Sequence, residues 1–158
     1  SHVPLLCSGM EFLRTNNLKL SEQLLVQSSR MCPSDPLVYN ELGVVVYKQN
    51  RLSEAVRCFE QAIVKSKSPS AAYCANLGHA YRKLGDLDKA VQCYTNAMAI
   101  EPRSADVHSA LGLAYHLKGN LIRAIEYYHQ ALGFRSTDTF TSALLDKALA
   151  QASFGDVA

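Results

Sequence analysis

Four glycines, Gly9, Gly43, Gly78 and Gly112, are separated by 34, 35 and 34 residues, and the residue types around them recur in register. At fixed offsets follow Ser21, Ala55, Ala90 and Ala124, then Leu25, Phe59, Tyr94 and Tyr128, then Ser28, Ala62, Ala97 and Ala131. A period of this length constrains the chain strongly. Each unit is too small to bury its own apolar face, so units must stack on one another as a solenoid. Inside each period a turn cluster divides the pattern into two helical stretches: Thr15-Asn16-Asn17, Gln49-Asn50, Lys83-Leu84-Gly85-Asp86 and Lys118-Gly119-Asn120. Pro33 and Pro102 fall 24 residues after their glycines and stop the second helix, while the second unit uses Ser66-Lys67-Ser68-Pro69-Ser70 and one extra residue.

This spacing predicts an all-α chain of one domain, with units at 2–35, 36–70, 71–104 and 105–138. Thr137-Asp138-Thr139 supplies N-cap oxygens, and Phe140, Leu144, Leu145, Ala148 and Leu149 recur at helical spacing, which predicts a capping helix over 139–151 and a tail over 152–158. Small residues let helix axes approach closely. Gly78 is expected to face Ala90, with Tyr81, Tyr94, Tyr115 and Tyr128 sealing the units. The first unit begins with Val3, Leu5 and Leu6 and no cap, so the chain is expected to be a fragment of a longer array.

Charge and motif content narrow the function. Sixteen Lys and Arg against fourteen Asp and Glu give a net charge of +2, too weak to point to nucleic acid. No segment reaches the roughly 18 apolar residues of a membrane span, so no membrane partner is expected. Five cysteines, Cys7, Cys32, Cys58, Cys74 and Cys93, form no metal-ligand spacing and read as reduced packing residues. There is no phosphate loop and no nucleophile elbow. Neither catalysis nor a cofactor is expected of this chain.

Leu77-Gly78, Tyr81, Ala90, Tyr94, Ala97 and Pro102, repeated as Leu111-Gly112, Tyr115, Ala124, Tyr128 and Ala131, resemble the tetratricopeptide (TPR) signature. The resemblance implies a right-handed superhelix of helix pairs whose first helices line a concave, peptide-binding face. By repeat position the candidate groove residues are Leu6, Met10, Asn40, Val44, Tyr47, Asn76, His79, Arg82 and His116, running from apolar to polar. Asn40 and Asn76 stand out, because an amide offers a donor and an acceptor together to a peptide. A TPR targeting domain of co-chaperone or glycosyltransferase type is the alternative. The cations of a carboxylate clamp are missing, since Asn40, Val44, Asp106 and Ala110 stand at four of its five positions, and no long asparagine ladder is present.

Further runs go beyond repeat packing: Thr15-Asn16-Asn17 with Lys19-Leu20-Ser21-Glu22, Glu41-Leu42-Gly43-Val44-Val45, Asn76-Leu77-Gly78-His79 with Arg82-Lys83-Leu84, and His129-Gln130-Ala131-Leu132-Gly133 leading to Asp138-Thr139-Phe140. Over residues 4 to 142 they resemble the cell-division-cycle-16-type TPR subunit of the anaphase-promoting complex. That resemblance implies a non-catalytic scaffold of a ubiquitin ligase, present in nucleus and cytoplasm. It also implies a groove for the acetylated N-terminus of a small accessory subunit of the cell-division-cycle-26 type, contacts with other TPR subunits, a homodimeric full-length protein and a monomeric fragment.

Overall fold

The computed structural model describes residues 1–155, and these form nine α-helices and no strand. In order they are α1 (Val3–Arg14), α2 (Leu18–Met31), α3 (Pro36–Lys48), α4 (Leu52–Lys65), α5 (Ala71–Leu84), α6 (Leu87–Ile100), α7 (Ala105–Leu117), α8 (Leu121–Phe134) and α9 (Thr139–Gly155). Each helix packs on the next, giving four antiparallel pairs that stack in sequence order, with α9 against the last pair.

The repeat is written into the turns as well as the helices. The residue that reverses the chain inside each pair has positive φ at Asn16, Asn50, Gly85 and Gly119, the same repeat position four times. Asparagine tolerates this left-handed conformation and glycine has no Cβ to oppose it, so two residue types serve one geometry. Helix starts are equally periodic. Asp35, Ser70, Ser104 and Asp138 accept hydrogen bonds from the backbone N–H of Leu37, Tyr73, Val107 and Thr141, satisfying donors that the first helical turn leaves free.

The core is a row of linked packets between successive pairs, of which Leu6, Leu25, Val38 and Val45 make the first and Tyr94, Ala97, Val107 and Leu111 the third. Ala55, Ala90 and Ala124 are fully buried where the two helices of a pair come closest. In the first pair Ser21 holds that position and donates its hydroxyl to the Gly9 carbonyl at 2.7 Å. The glycines of the last three pairs do not meet an alanine first, as expected, although the Ala124 carbonyl lies 3.2 Å from the Cβ position of Gly112. They face the aromatic residue four positions further along: a Cβ on Gly78 would lie 2.6 Å from a ring carbon of Tyr94, and one on Gly43 or Gly112 equally close to Phe59 or Tyr128. The absent side chain is the space through which each ring crosses beneath the first helix. Tyr81 and Tyr115 seal only edges: Tyr81 donates to Glu60 at 3.0 Å, and Tyr115 stacks on Tyr127 at 5.6 Å.

Two expectations for the ends change. Thr141, Leu145 and Ala148 of α9 take the buried places that Val107, Leu111 and Ala114 hold in α7, so the capping helix continues the repeat, with Asp146 where the glycine would stand. The helix also runs on through Gly155, because Ala143, Ala148, Ala150 and Ala152 favour it and no Gly or Pro intervenes; the tail expected from 152 is therefore helical as far as it is described, and 156–158 lie outside the described residues. The cysteines divide. Cys93 is buried, whereas Cys7 is exposed and takes no part in the core.

Candidate peptide-binding groove

The first helices of the pairs, α1, α3, α5 and α7, present two clefts. One, of about 560 Å³ between α1 and α3, is lined by Met10, Leu13 and Val44 with Glu41 and Lys48. The other, of about 480 Å³, is formed by α5, α7 and the start of α9, with Ala75, Ala110 and Leu113 as apolar floor and His79, Arg82 and Ser109 as polar wall. Apolar floor with a few convergent polar groups is the usual make-up of a ligand cleft.

Polar groups around these clefts are held from behind. Tyr94 passes under α5 at Gly78, and its hydroxyl emerges beside His79 and Arg82. Arg82 Nε donates to the Tyr94 oxygen at 3.4 Å, and the same hydroxyl is hydrogen-bonded to His79 Nδ1 at 2.7 Å. Burial, reinforced by the Arg82 charge, lowers the His79 pKa to about 4, so the ring is neutral at physiological pH. The neighbouring Tyr94 hydroxyl is pushed up to about 12 by burial and does not ionise.

His116 is placed by the same device, 3.2 Å from the Tyr128 hydroxyl, but its Nε2 meets Gln151 of α9 at 2.6 Å. Helix α9 therefore occupies the position a ligand would take on His116. Leu6 is likewise closed to a ligand, being 5% exposed within the first core packet. Tyr47 is half-buried under the Lys83 ammonium, 4.6 Å from its ring centroid. Met10 and Val44 remain on the cleft wall.

The two asparagines meet. Asn76 Nδ2 donates to Asn40 Oδ1 at 2.9 Å, and Asn40 Nδ2 donates to Glu41 at 3.0 Å. Asn40 is 6% exposed, so it is a strut between α3 and α5, and the two groups it is bonded to, Asn76 and Glu41, are the more exposed members of the chain. Spacing carries no sign of this link, because the two residues stand one repeat position apart and only the superhelical offset brings them together. Neither position carries Asn in the first or fourth pair, so no ladder extends from it. Glu41 faces inward by repeat position, yet counting alone does not set it above its neighbours as a groove residue. The signal that could have done so is an acidic residue on the inward face of an otherwise apolar helix.

No cluster of three or more metal-ligating side chains and no helix long and apolar enough to cross a membrane occurs among the described residues. Tetratricopeptide-repeat profiles match residues 37–68 and 105–138, and a TPR repeat profile matches 78–119. The chain is 43% identical over 155 residues to anaphase-promoting complex subunit 6 of Arabidopsis thaliana, covering 94% of this chain and 28% of that protein. It is 35% identical over 152 residues to the cell division cycle protein 16 homolog of Homo sapiens, covering 91% of this chain and 24% of the relative. It thus spans about a quarter of the length of these relatives. Among solved structures, the crystal structure of the APC/C hetero-tetramer Cut9-Hcn1 superposes with a TM-score of 0.89 at 34% identity, over 94% of this chain and 30% of that one. The crystal structure of MamA superposes with a TM-score of 0.80 at 23% identity over 86% of this chain and 79% of that chain, a likeness of fold alone.

Proposed function

This chain belongs to the tetratricopeptide-repeat family and is homologous over nearly its whole length to subunit 6 of the anaphase-promoting complex, and from that premise we propose that it is a non-catalytic scaffold segment which holds the N-terminal segment of a small accessory subunit in its concave groove. The observation that carries the reading is the pair of open clefts on the first helices, one with an apolar floor and a charged rim and one with pre-oriented polar groups, in a fold that matches a Cut9-Hcn1 complex at a TM-score of 0.89. An extended peptide needs apolar recesses for alternate side chains and fixed polar groups for its backbone, and both are supplied. His79 and Arg82 cost little to order on binding because Tyr94 already fixes them. The small subunit is of the cell-division-cycle-26 type, bound through an acetylated N-terminus. Other TPR subunits of the complex are the further partners, and the setting is nucleus and cytoplasm. The whole protein is a homodimer and this segment a monomer, with ubiquitin transfer left to other subunits.

Calorimetric titration with the N-terminal peptide of the small subunit, acetylated and unacetylated, tests this. The acetylated form is expected to bind more tightly. Val44→Lys and Arg82→Gln should each weaken binding by about tenfold while circular dichroism stays unchanged. Asn76→Ala is a poorer probe, because it also leaves the buried Asn40 oxygen without its donor. Undiminished affinity in both Val44→Lys and Arg82→Gln would remove the groove from consideration.

A further inference from the structure

Glu41 stands on the wall of the α1–α3 cleft with one carboxylate oxygen held and the other unused. Oε1 accepts from Asn40, which Asn76 fixes in turn, whereas Oε2 has no partner among the described residues and is not sealed in the interior. The groups beside it are apolar Met10, Leu13 and Val44. Two cations line the same cleft, but Arg14 is engaged by Glu11 at 2.6 Å and Lys48 makes no ion pair with Glu41. Burial pushes the Glu41 carboxyl up, which means that water solvates its charge poorly and that the described residues supply no compensating cation.

We propose that this cleft is a specificity pocket for a lysine or arginine of the bound peptide, with the aliphatic stem lying on Met10 and Val44 and the cationic head meeting Glu41 Oε2. The pocket rests on the reading of the concave face as a peptide groove. A long basic side chain suits both halves of the cleft at once, since its methylenes cover apolar surface while its head remains at the polar rim. A charge-assisted bond to a carboxylate already oriented by the Asn40 amide, itself held by Asn76, is short and directional. An acidic side chain at that position would meet a like charge in a poorly hydrated recess, so the same geometry rejects as well as selects. The pocket then fixes the register of the peptide, because only one basic residue at a time fits there.

The probe is the N-terminal segment of the Hcn1 subunit as a synthetic peptide, with each Lys and Arg replaced in turn by glutamine. Each peptide is titrated into the wild-type chain and into Glu41→Gln. Glutamine keeps an oxygen for Asn40 and removes a poorly solvated charge, so the variant should melt at or above the wild-type temperature. One basic position is expected to cost about tenfold or more in the wild type and to have no effect in Glu41→Gln. Equal losses in both proteins at every position, or none in either, would overturn the pocket and leave the groove standing. Failure of the unsubstituted peptide to bind the wild-type chain would defeat the groove reading, and this inference with it.

Discussion

Replacing Gly78 by leucine is expected to destabilise the array by about 3 kcal/mol or more, the upper range for overpacking a core that cannot relax. In an exposed helix the exchange would be favourable, because leaving glycine gains roughly 1 kcal/mol of helix propensity. At this position the new Cβ alone would lie 2.6 Å from the Tyr94 ring, and Tyr94 is fully buried with its hydroxyl fixed by His79 and Arg82. Neither ring nor helix has anywhere to go. For a chain of this size the loss corresponds to a fall of roughly 6 to 12 °C in melting temperature. Gly133→Ala is the internal control, since nothing lies within 4 Å of its Cβ position and the change should be neutral or stabilising by up to about 1 kcal/mol. Thermal melts of the two variants separate the steric cost from propensity. A Gly78→Leu protein that melted like the wild type would refute the steric role of the repeat glycine.

The second large effect is on pH dependence. His79 has a folded-state pKa of about 4 against an ordinary 6.5, so between these values the unfolded chain binds a proton that the folded chain refuses. Stability from this residue is therefore complete above pH 6.5 and is lost as pH falls toward 4. Between pH 7 and pH 5 the loss amounts to about 2 kcal/mol, from about 1.36 kcal/mol for each pH step over which the two states differ by one whole proton. Glu41 acts in the opposite sense, because burial raises its pKa and acid relieves the strain of its charge. The measurement must therefore isolate the histidine. His79→Asn keeps an acceptor near the Nδ1 position without a titrating ring, and denaturant melts at pH 7 and pH 5 should show a wild-type loss about 2 kcal/mol greater than that of the variant. Equal losses would place the His79 pKa near its ordinary value and undo the reading of a ring kept neutral by burial.

The two effects share a cause that the sequence displays only in part. Spacing of Gly43, Gly78 and Gly112 against Phe59, Tyr94 and Tyr128 was plain at the level of the repeat, and so were helix count, turn positions and the cap of the last helix. Which residue each glycine accommodates was not plain. Alanine and the aromatic lie four residues apart on one helix face, and a one-dimensional pattern cannot say which of them points into the gap. The groove residues show the same limit. Met10, Val44, His79 and Arg82 line the two clefts at the positions counted, yet Leu6 is buried and His116 is taken by Gln151 of α9, a contact made 35 residues away.

What the sequence alone determined is therefore the repeat itself: an all-α solenoid, chain-reversing turns around 16, 50, 85 and 119, and the family to which the pattern belongs. Such features depend on neighbours close in the chain, and the period writes them out four times. The tertiary structure decided what joins one unit to the next. The Asn76–Asn40–Glu41 chain, the Tyr94 hydroxyl beneath His79 and Arg82, and the cover that α9 places on His116 depend on the rotation and offset between stacked helix pairs. That geometry is set by the summed packing of many side chains, which no single residue or spacing records.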